Sequence, residues 1–236
     1  MKTKSPPMIP ALSEAPAEGF TAPNARTATT IIPIRTLDVR HRDQIITHLL
    51  ALDERDRYLR FGFIANDDHI IRYAEGLNFE RDEVFGITNR KLSLIAVAHL
   101  AYGPSEHHPA CAEFGVSVAK AGRGRGYGAQ LFERAAMDAR NNNVSLMLIH
   151  ALSENSAMLS IARKAGAVME RRGSETEAYL RLPPPSLNSR MTEIVEDHYA
   201  QIDYRLKTQS RQWRNMLTAI NTFSCGWSMR GGSGRN

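Results

Sequence analysis

The stretch Ala112–Gly128, reading AEFGVSVAKAGRGRGYG, constrains the fold of this chain more than any other. A β-branched, apolar run, Phe114-Gly115-Val116-Ser117-Val118, stops at a turn of small and basic residues. The turn holds Gly122, Gly124, Gly126 and Gly128 with Arg123 and Arg125 between them, and Ala129–Ala136 then follows as a strong helix former. A strand, a glycine turn and a helix N-terminus in sequence can grip phosphate with backbone N–H groups. Gly122-x-Gly124 fits the start of a dinucleotide fingerprint, but Tyr127 stands where its last glycine belongs. The turn also comes after several antiparallel-type strands. A Walker A loop fails for want of Gly-Lys-Ser/Thr.

The pattern around this stretch predicts one mixed α/β domain over residues 30–182. Ile31–Arg35 reads as a short first strand, with Pro33 suggesting an edge. Asp38 or His41 opens a helix carrying Ile45, Ile46, Leu49 and Leu50 at helical spacing. Asp53–Phe61 mixes charge with aromatics and reads as a solvated connection. Asn66 or Asp67 caps a second helix that Gly76 ends. From Glu83 the period becomes strand-like: 84–88 and 92–100 flank Asn89-Arg90-Lys91 as a hairpin. After the glycine turn the helix runs to the Asn141–Asn143 triplet. Val144–Ala151 is a strand, Glu154 or Asn155 starts a helix ended by Gly166, and a final hairpin runs from Val168 to Leu182. The expected sheet is largely antiparallel with one parallel pair, closed by a strand–helix–strand unit through the glycine turn.

Outside the domain, residues 1–29 read as a flexible arm. Pro183-Pro184-Pro185 marks a boundary before a long helix and a glycine-rich tail over 183–236. The apolar stripe of that helix suggests a homodimer or a partner. A net charge of +5 suits an anionic ligand but falls short of a nucleic-acid binder. Two cysteines far apart suggest neither a disulfide framework nor a zinc site, and adjacent His107 and His108 project apart, so no metal is expected. No apolar run approaches the roughly 18 residues of a membrane span, and no secretory signal is seen. A cytoplasmic location is the default.

Arg123-Gly124-Arg125-Gly126-Tyr127-Gly128 resembles the acetyl-CoA loop, (Gln/Arg)-x-x-Gly-x-(Gly/Ala), of the GNAT superfamily of N-acetyltransferases, and Val116-Ser117-Val118 precede it at that family's distance. Downstream, Asn155–Ala167 is similar to the family's Asn-anchored helix, which ends in Lys-x-Gly-Phe. The resemblance covers residues 31–182. It implies a GNAT-like fold, acetyl-CoA as cosubstrate and a primary amine as acceptor. It also implies that Val116, Ser117 and Val118 hold the pantetheine arm by backbone, that residues 123–128 hold the pyrophosphate, and that Asn155 touches the cofactor or caps its helix. Ala112-Glu113-Phe114 looks like bacterial protein-lysine acetyltransferases of that superfamily, in which a glutamate at this strand start is the general base, and Asp56–Phe61 looks like the first-helix region of those enzymes. The implied activity is acetyl transfer to an amine, with a protein lysine as first choice. A small-molecule amine acetylase and a catalytically weak acyl-CoA sensor are the alternatives.

On the residues themselves, Glu113 alternates with Phe114, Val116 and Val118 and so shares a strand face with Gly115 and Ser117. A carboxylate bordered there by apolar residues could take a proton from the amine through a water. Ala162 occupies the position where many family members carry a tyrosine proton donor. Ser153, His150 and Tyr179 are the other candidates for that proton.

Overall fold

The computed structural model describes residues 32–103, 111–185 and 192. Residues 32–236 make one unit and 1–31 another, and all described residues belong to the first. The expected arm, the His107-His108 loop and the long C-terminal helix lie outside the described residues.

The elements in order are β1 (Arg35–Leu37), α1 (Arg42–Leu50), α2 (Glu54–Phe61), α3 (Asp67–Glu75), β2 (Glu83–Thr88), β3 (Leu94–Tyr102), β4 (Cys111–Val118), α4 (Tyr127–Asn141), β5 (Leu146–Leu152), α5 (Ser156–Lys164), β6 (Val168–Arg172) and β7 (Glu175–Arg181). The strands form one seven-stranded sheet in the order β1-β2-β3-β4-β5-β7-β6. Every pairing is antiparallel except β4 with β5. The α/β class, the antiparallel majority and the single parallel pair agree with the sequence expectation.

Two segments differ from it. The first strand begins at Arg35, beyond Pro33, whose missing N–H suits it only to the approach of this edge strand. Residues 54–61 are a helix, α2, and not a connection. Asp53 caps it by accepting the Asp56 N–H at 2.8 Å, and Gly62 ends it at φ 79°. None of its residues is fully buried, so no apolar stripe announced it.

Strand alternation divides the apolar residues between two cores. Phe85, Ala98, Leu100, Phe114 and Ile149 face α4 and α5, where Phe114 meets Phe132 edge-on with ring centroids 5.1 Å apart. Leu37, Val84, Leu94 and Val97 face α1 and α3, against Ile45, Leu49 and Ile70. The sheet is thus covered on both sides, which fixes its register, because a one-residue slip would turn each core outward. No helix among the described residues is long and apolar enough to cross a membrane.

Candidate active site

The parallel pairing of β4 with β5 covers only Cys111↔Leu146, Ala112↔Met147 and Glu113↔Leu148. Beyond Glu113 the two strands separate: β4 continues to Val118 paired only with β3, while β5 continues to Leu152 paired with β7. The side of Gly115–Val118 that faces β5 therefore has no strand partner. An extended ligand with amide groups can pair there as an added strand.

A cleft of about 330 Å³ opens at this separation. It is lined by Glu113–Val116 of β4, by His150–Leu152 and Asn155, and by Leu59–Gly62 at the end of α2 together with Tyr73 and His99. Glu113 sits where pairing ends and its side chain is exposed, not boxed in by apolar neighbours. Water can reach it.

The glycine turn lies beyond the far end of β4. Gly124 and Gly126 have φ of 73° and 76°, the left-handed region that glycine occupies at little cost. Gly126 precedes α4, whose first turn has no side-chain cap and no acidic residue. An uncapped N-terminus of a 15-residue helix offers free N–H groups and the positive end of the helix dipole to an anion. Gly128 lies close to α5: an added Cβ would come within 3.2 Å of Ile161 Cδ1. Tyr127 packs its ring over Gly122.

The other residues singled out in the sequence fall in several settings. Val116 and Val118 pack toward the α4 core and leave their backbone at the open edge. The Ser117 side chain turns to the opposite face, where its Oγ lies 2.9 Å from His48 Nε2. Only its backbone is left for the cleft. The Arg123 guanidinium is ion-paired with Asp56 of α2, and its Nε donates to the Val118 carbonyl at 3.4 Å. Arg123 therefore ties the turn to α2, while Arg125 is exposed. Asn155 caps α5 by accepting the Met158 N–H at 3.1 Å, and its Nδ2 donates to the Leu59 carbonyl at 3.3 Å. It pins the end of α2 to the start of α5. Asn155→Ala should cost about 1 kcal/mol from the cap alone, measurable as a lower midpoint in urea unfolding.

Ala162 is fully buried in the core, so its position supplies neither a proton nor access to the cleft. Of the alternative donors, Ser153 Oγ is engaged with Thr176 Oγ1 at 2.9 Å. The Tyr179 hydroxyl donates to Glu177, and that bond, with burial, pushes its pKa up to about 12. His150 alone of the three lines the cleft.

A polar chain in the cleft wall was not anticipated. Arg60 Nη2 donates to the Tyr73 hydroxyl at 2.7 Å, and that hydroxyl donates to His99 Nδ1 at 2.9 Å. His99 Nε2 in turn donates to Asp82 at 3.3 Å. Asp82 also accepts from Arg81 at 2.8 Å and from the Tyr102 N–H at 3.2 Å. Burial would push Asp82 up, but the bonds from Arg81, Tyr102 and His99 outweigh it and hold the carboxyl below its usual range. Burial, with the nearby Arg60 charge, lowers His99 against the pull of Asp82. A neutral His99 with its proton on Nε2 fits the chain's direction from Arg60 to Asp82.

His48 is buried as well, with Nδ1 3.2 Å from the Leu94 carbonyl and Nε2 on Ser117, and burial lowers its pKa from 6.5. A histidine lowered on folding binds its proton more readily when unfolded. Its contribution is therefore complete above about pH 6.5 and is lost as pH falls toward the lower folded value. Urea unfolding between pH 7.5 and 5 should show stability falling by about 1.4 kcal/mol per pH unit for each histidine in its window. His48→Gln should flatten that slope.

No curated protein sequence shows significant similarity to the chain. Solved structures do share its fold. The GNAT domain of the Streptomyces lividans protein PAT superposes with a TM-score of 0.54 at 19% identity, over 63% of this chain and 89% of that one. Spermidine N-acetyltransferase from Vibrio cholerae, solved with CoA and spermine, gives 0.50 at 18%, over 63% and 94%. YncA from Salmonella typhimurium, solved with acetyl-CoA, gives 0.50 at 16%, over 66% and 96%. The acetyltransferase (GNAT) family profile matches residues 35–167, more than half the chain and all of the sheet up to the last hairpin. The chain belongs to the GNAT family and is an acetyl-CoA-dependent N-acetyltransferase.

Proposed function

We propose that the separation of β4 from β5 is where an acetyl thioester meets an amine, with Glu113 as general base and a protein lysine as acceptor. The observation that carries this reading is the placement of three features along one strand. The exposed Glu113 carboxylate stands where pairing ends, the unpaired edge of Gly115–Val118 comes next, and the uncapped α4 N-terminus follows the turn.

The chemistry follows from that order. The pyrophosphate of acetyl-CoA rests on the N–H groups of residues 124–128, which also bear the positive end of the α4 dipole. Arg125 adds charge. Arg123, engaged with Asp56, keeps the turn seated against α2. The pantetheine amides pair with the freed edge at Val116–Val118, which lays the thioester along β4 toward Glu113. An N–H of that edge donates a hydrogen bond to the developing oxyanion.

A lysine amine, with an unperturbed pKa near 10.4, is mostly protonated at neutral pH. Glu113 removes its proton through a water, the neutral nitrogen attacks the thioester carbon, and the tetrahedral adduct gives up the second nitrogen proton to water as it expels the thiolate and forms the amide. With Ala162 in the core, the thiolate departs without a tyrosine donor and takes its proton from solvent, or from His150 on the cleft wall.

Mixing the protein with acetyl-CoA and lysine-containing peptides should release thiol in step with acetylated peptide. Acetylation of small amines with no acetylated peptide would favour the second reading, a small-molecule amine as acceptor.

A further inference from the structure

We infer that Arg60 is a specificity residue of this same cleft, and that it binds a carboxylate carried by the acceptor close to the amine. The inference rests on the proposed acetyl transfer and adds what the acceptor must look like.

Arg60 belongs to α2 but its guanidinium lies on the backbone of Gly115. An added Cβ there would come within 2.7 Å of Arg60 Cζ. The charge therefore sits two residues along β4 from Glu113 and lines the same cleft. Its position is held from several directions. The Phe61 and Tyr73 rings stand 5.2 and 5.3 Å from Cζ, and Nη2 is fixed by the Tyr73 hydroxyl. Tyr73 is in turn oriented by His99, and His99 by the buried Asp82. The chain thus begins at a buried, multiply bonded carboxylate and ends at a guanidinium in the cleft.

A guanidinium so oriented has one hydrogen bond to protein and no carboxylate in ion-pair range among the described residues. The other arginines of α2 differ. Arg55 is paired with Glu154 at 3.7 Å, and Arg57 with Asp67 at 2.6 Å and with backbone carbonyls. Arg60 keeps the rest of its planar donor fork for a ligand, and that fork matches a carboxylate in two parallel bonds. Packing against Gly115 and the aromatic rings removes part of its water, which strengthens such a bond. One cleft therefore presents an anion for the amine, Glu113, and a cation for an anionic group beside it. A carboxylate next to the amine comes from an acidic side chain flanking a target lysine or from a small amino acid. Both share the chemistry that Arg60 reads.

The test compares matched acceptors with the full-length protein and acetyl-CoA. One pair is a lysine peptide with glutamate beside the lysine and the same peptide with glutamine. The other is β-alanine and propylamine. The wild type should favour the carboxylate-bearing member of at least one pair by about 10- to 100-fold in kcat/KM, the range for hydrogen bonds to a charged group. The pair that shows the preference identifies the source. Arg60→Gln should bring that ratio close to unity. Gly115→Ala, whose methyl group would come within 2.7 Å of Arg60 Cζ and so displace the guanidinium from its seat, should do the same. Tyr73→Phe should lower the ratio by less.

Equal rates within both pairs would overturn the inference, and so would a ratio untouched by Arg60→Gln. If no amine is acetylated, the proposed transfer fails. Calorimetric binding of the same four compounds to the CoA-loaded protein then decides the role of Arg60 separately. Preferential binding of the carboxylates that is lost in Arg60→Gln supports it, and binding without preference, or none, refutes it.

Discussion

Replacing Glu113 with glutamine is expected to lower kcat/KM for acetyl transfer by about 10²- to 10⁴-fold, the usual contribution of a positioned general base. Glutamine keeps the size and much of the polarity of the side chain but cannot accept the amine proton. Glu113 is exposed and the described structure shows no hydrogen bond or ion pair to its side chain, so the change leaves no buried partner stranded. The unfolding midpoint and the CoA affinity should therefore stay near wild type, and the loss should appear in the chemical step. Raising pH should restore part of the rate, because a growing fraction of the amine then arrives unprotonated. Wild-type rates in Glu113→Gln would assign the base elsewhere, and His150 is the next titratable group on the cleft wall.

The second large effect is expected at the glycine turn. Gly124 and Gly126 both lie at φ above 70°, where a side chain costs about 1–2 kcal/mol, more if β-branched. A Gly124→Val/Gly126→Val double variant thus faces about 2–4 kcal/mol of strain whenever the turn has its present shape. Nothing lies within 4 Å of a Cβ added at Gly124, and only the end of the Gln130 side chain reaches that distance at Gly126. Strain, and not collision, is the cause. The turn is on the surface, so it can relax in the free protein and must be re-formed around the pyrophosphate. Calorimetric CoA affinity should then fall by about 30- to 1,000-fold, with only a small change in the unfolding midpoint. Unchanged affinity would mean that the N–H groups of this turn do not hold the cofactor.

How much of this was legible in the sequence varied with physical cause. The Phe114–Val118 run, the glycines and the Asn155 cap were readable because period, backbone freedom and capping are local. The parallel β4–β5 pair followed from them, since a strand–helix–strand unit of that length joins neighbours in parallel. Helix α2 was legible in the family resemblance of Asp56–Phe61 but not in its period, because none of its residues is fully buried, although its local signals, Asp53 before it and Gly62 after it, were present. The pairing of Arg123 with Asp56 and the chain from Arg60 to Asp82 were not readable. They join residues from α2, α3, β3, the glycine turn and the loop before β2 that meet only after the sheet has formed. Tyr73 falls in the helix between Asn66 and Gly76 and His99 in the 92–100 strand, and nothing in either period singles them out. Their polar atoms mattered only once they faced each other.

The most direct test of the central claim is a structure of the protein with a bisubstrate conjugate, in which coenzyme A is joined through its sulfur to the amine of a lysine peptide. The account predicts the pyrophosphate on the N–H groups of residues 124–128, the pantetheine paired along Val116–Val118, and the amine nitrogen within one water of the Glu113 carboxylate. A pyrophosphate bound away from the glycine turn would contradict it. A nitrogen lying on the far side of the cleft from Glu113 would do the same.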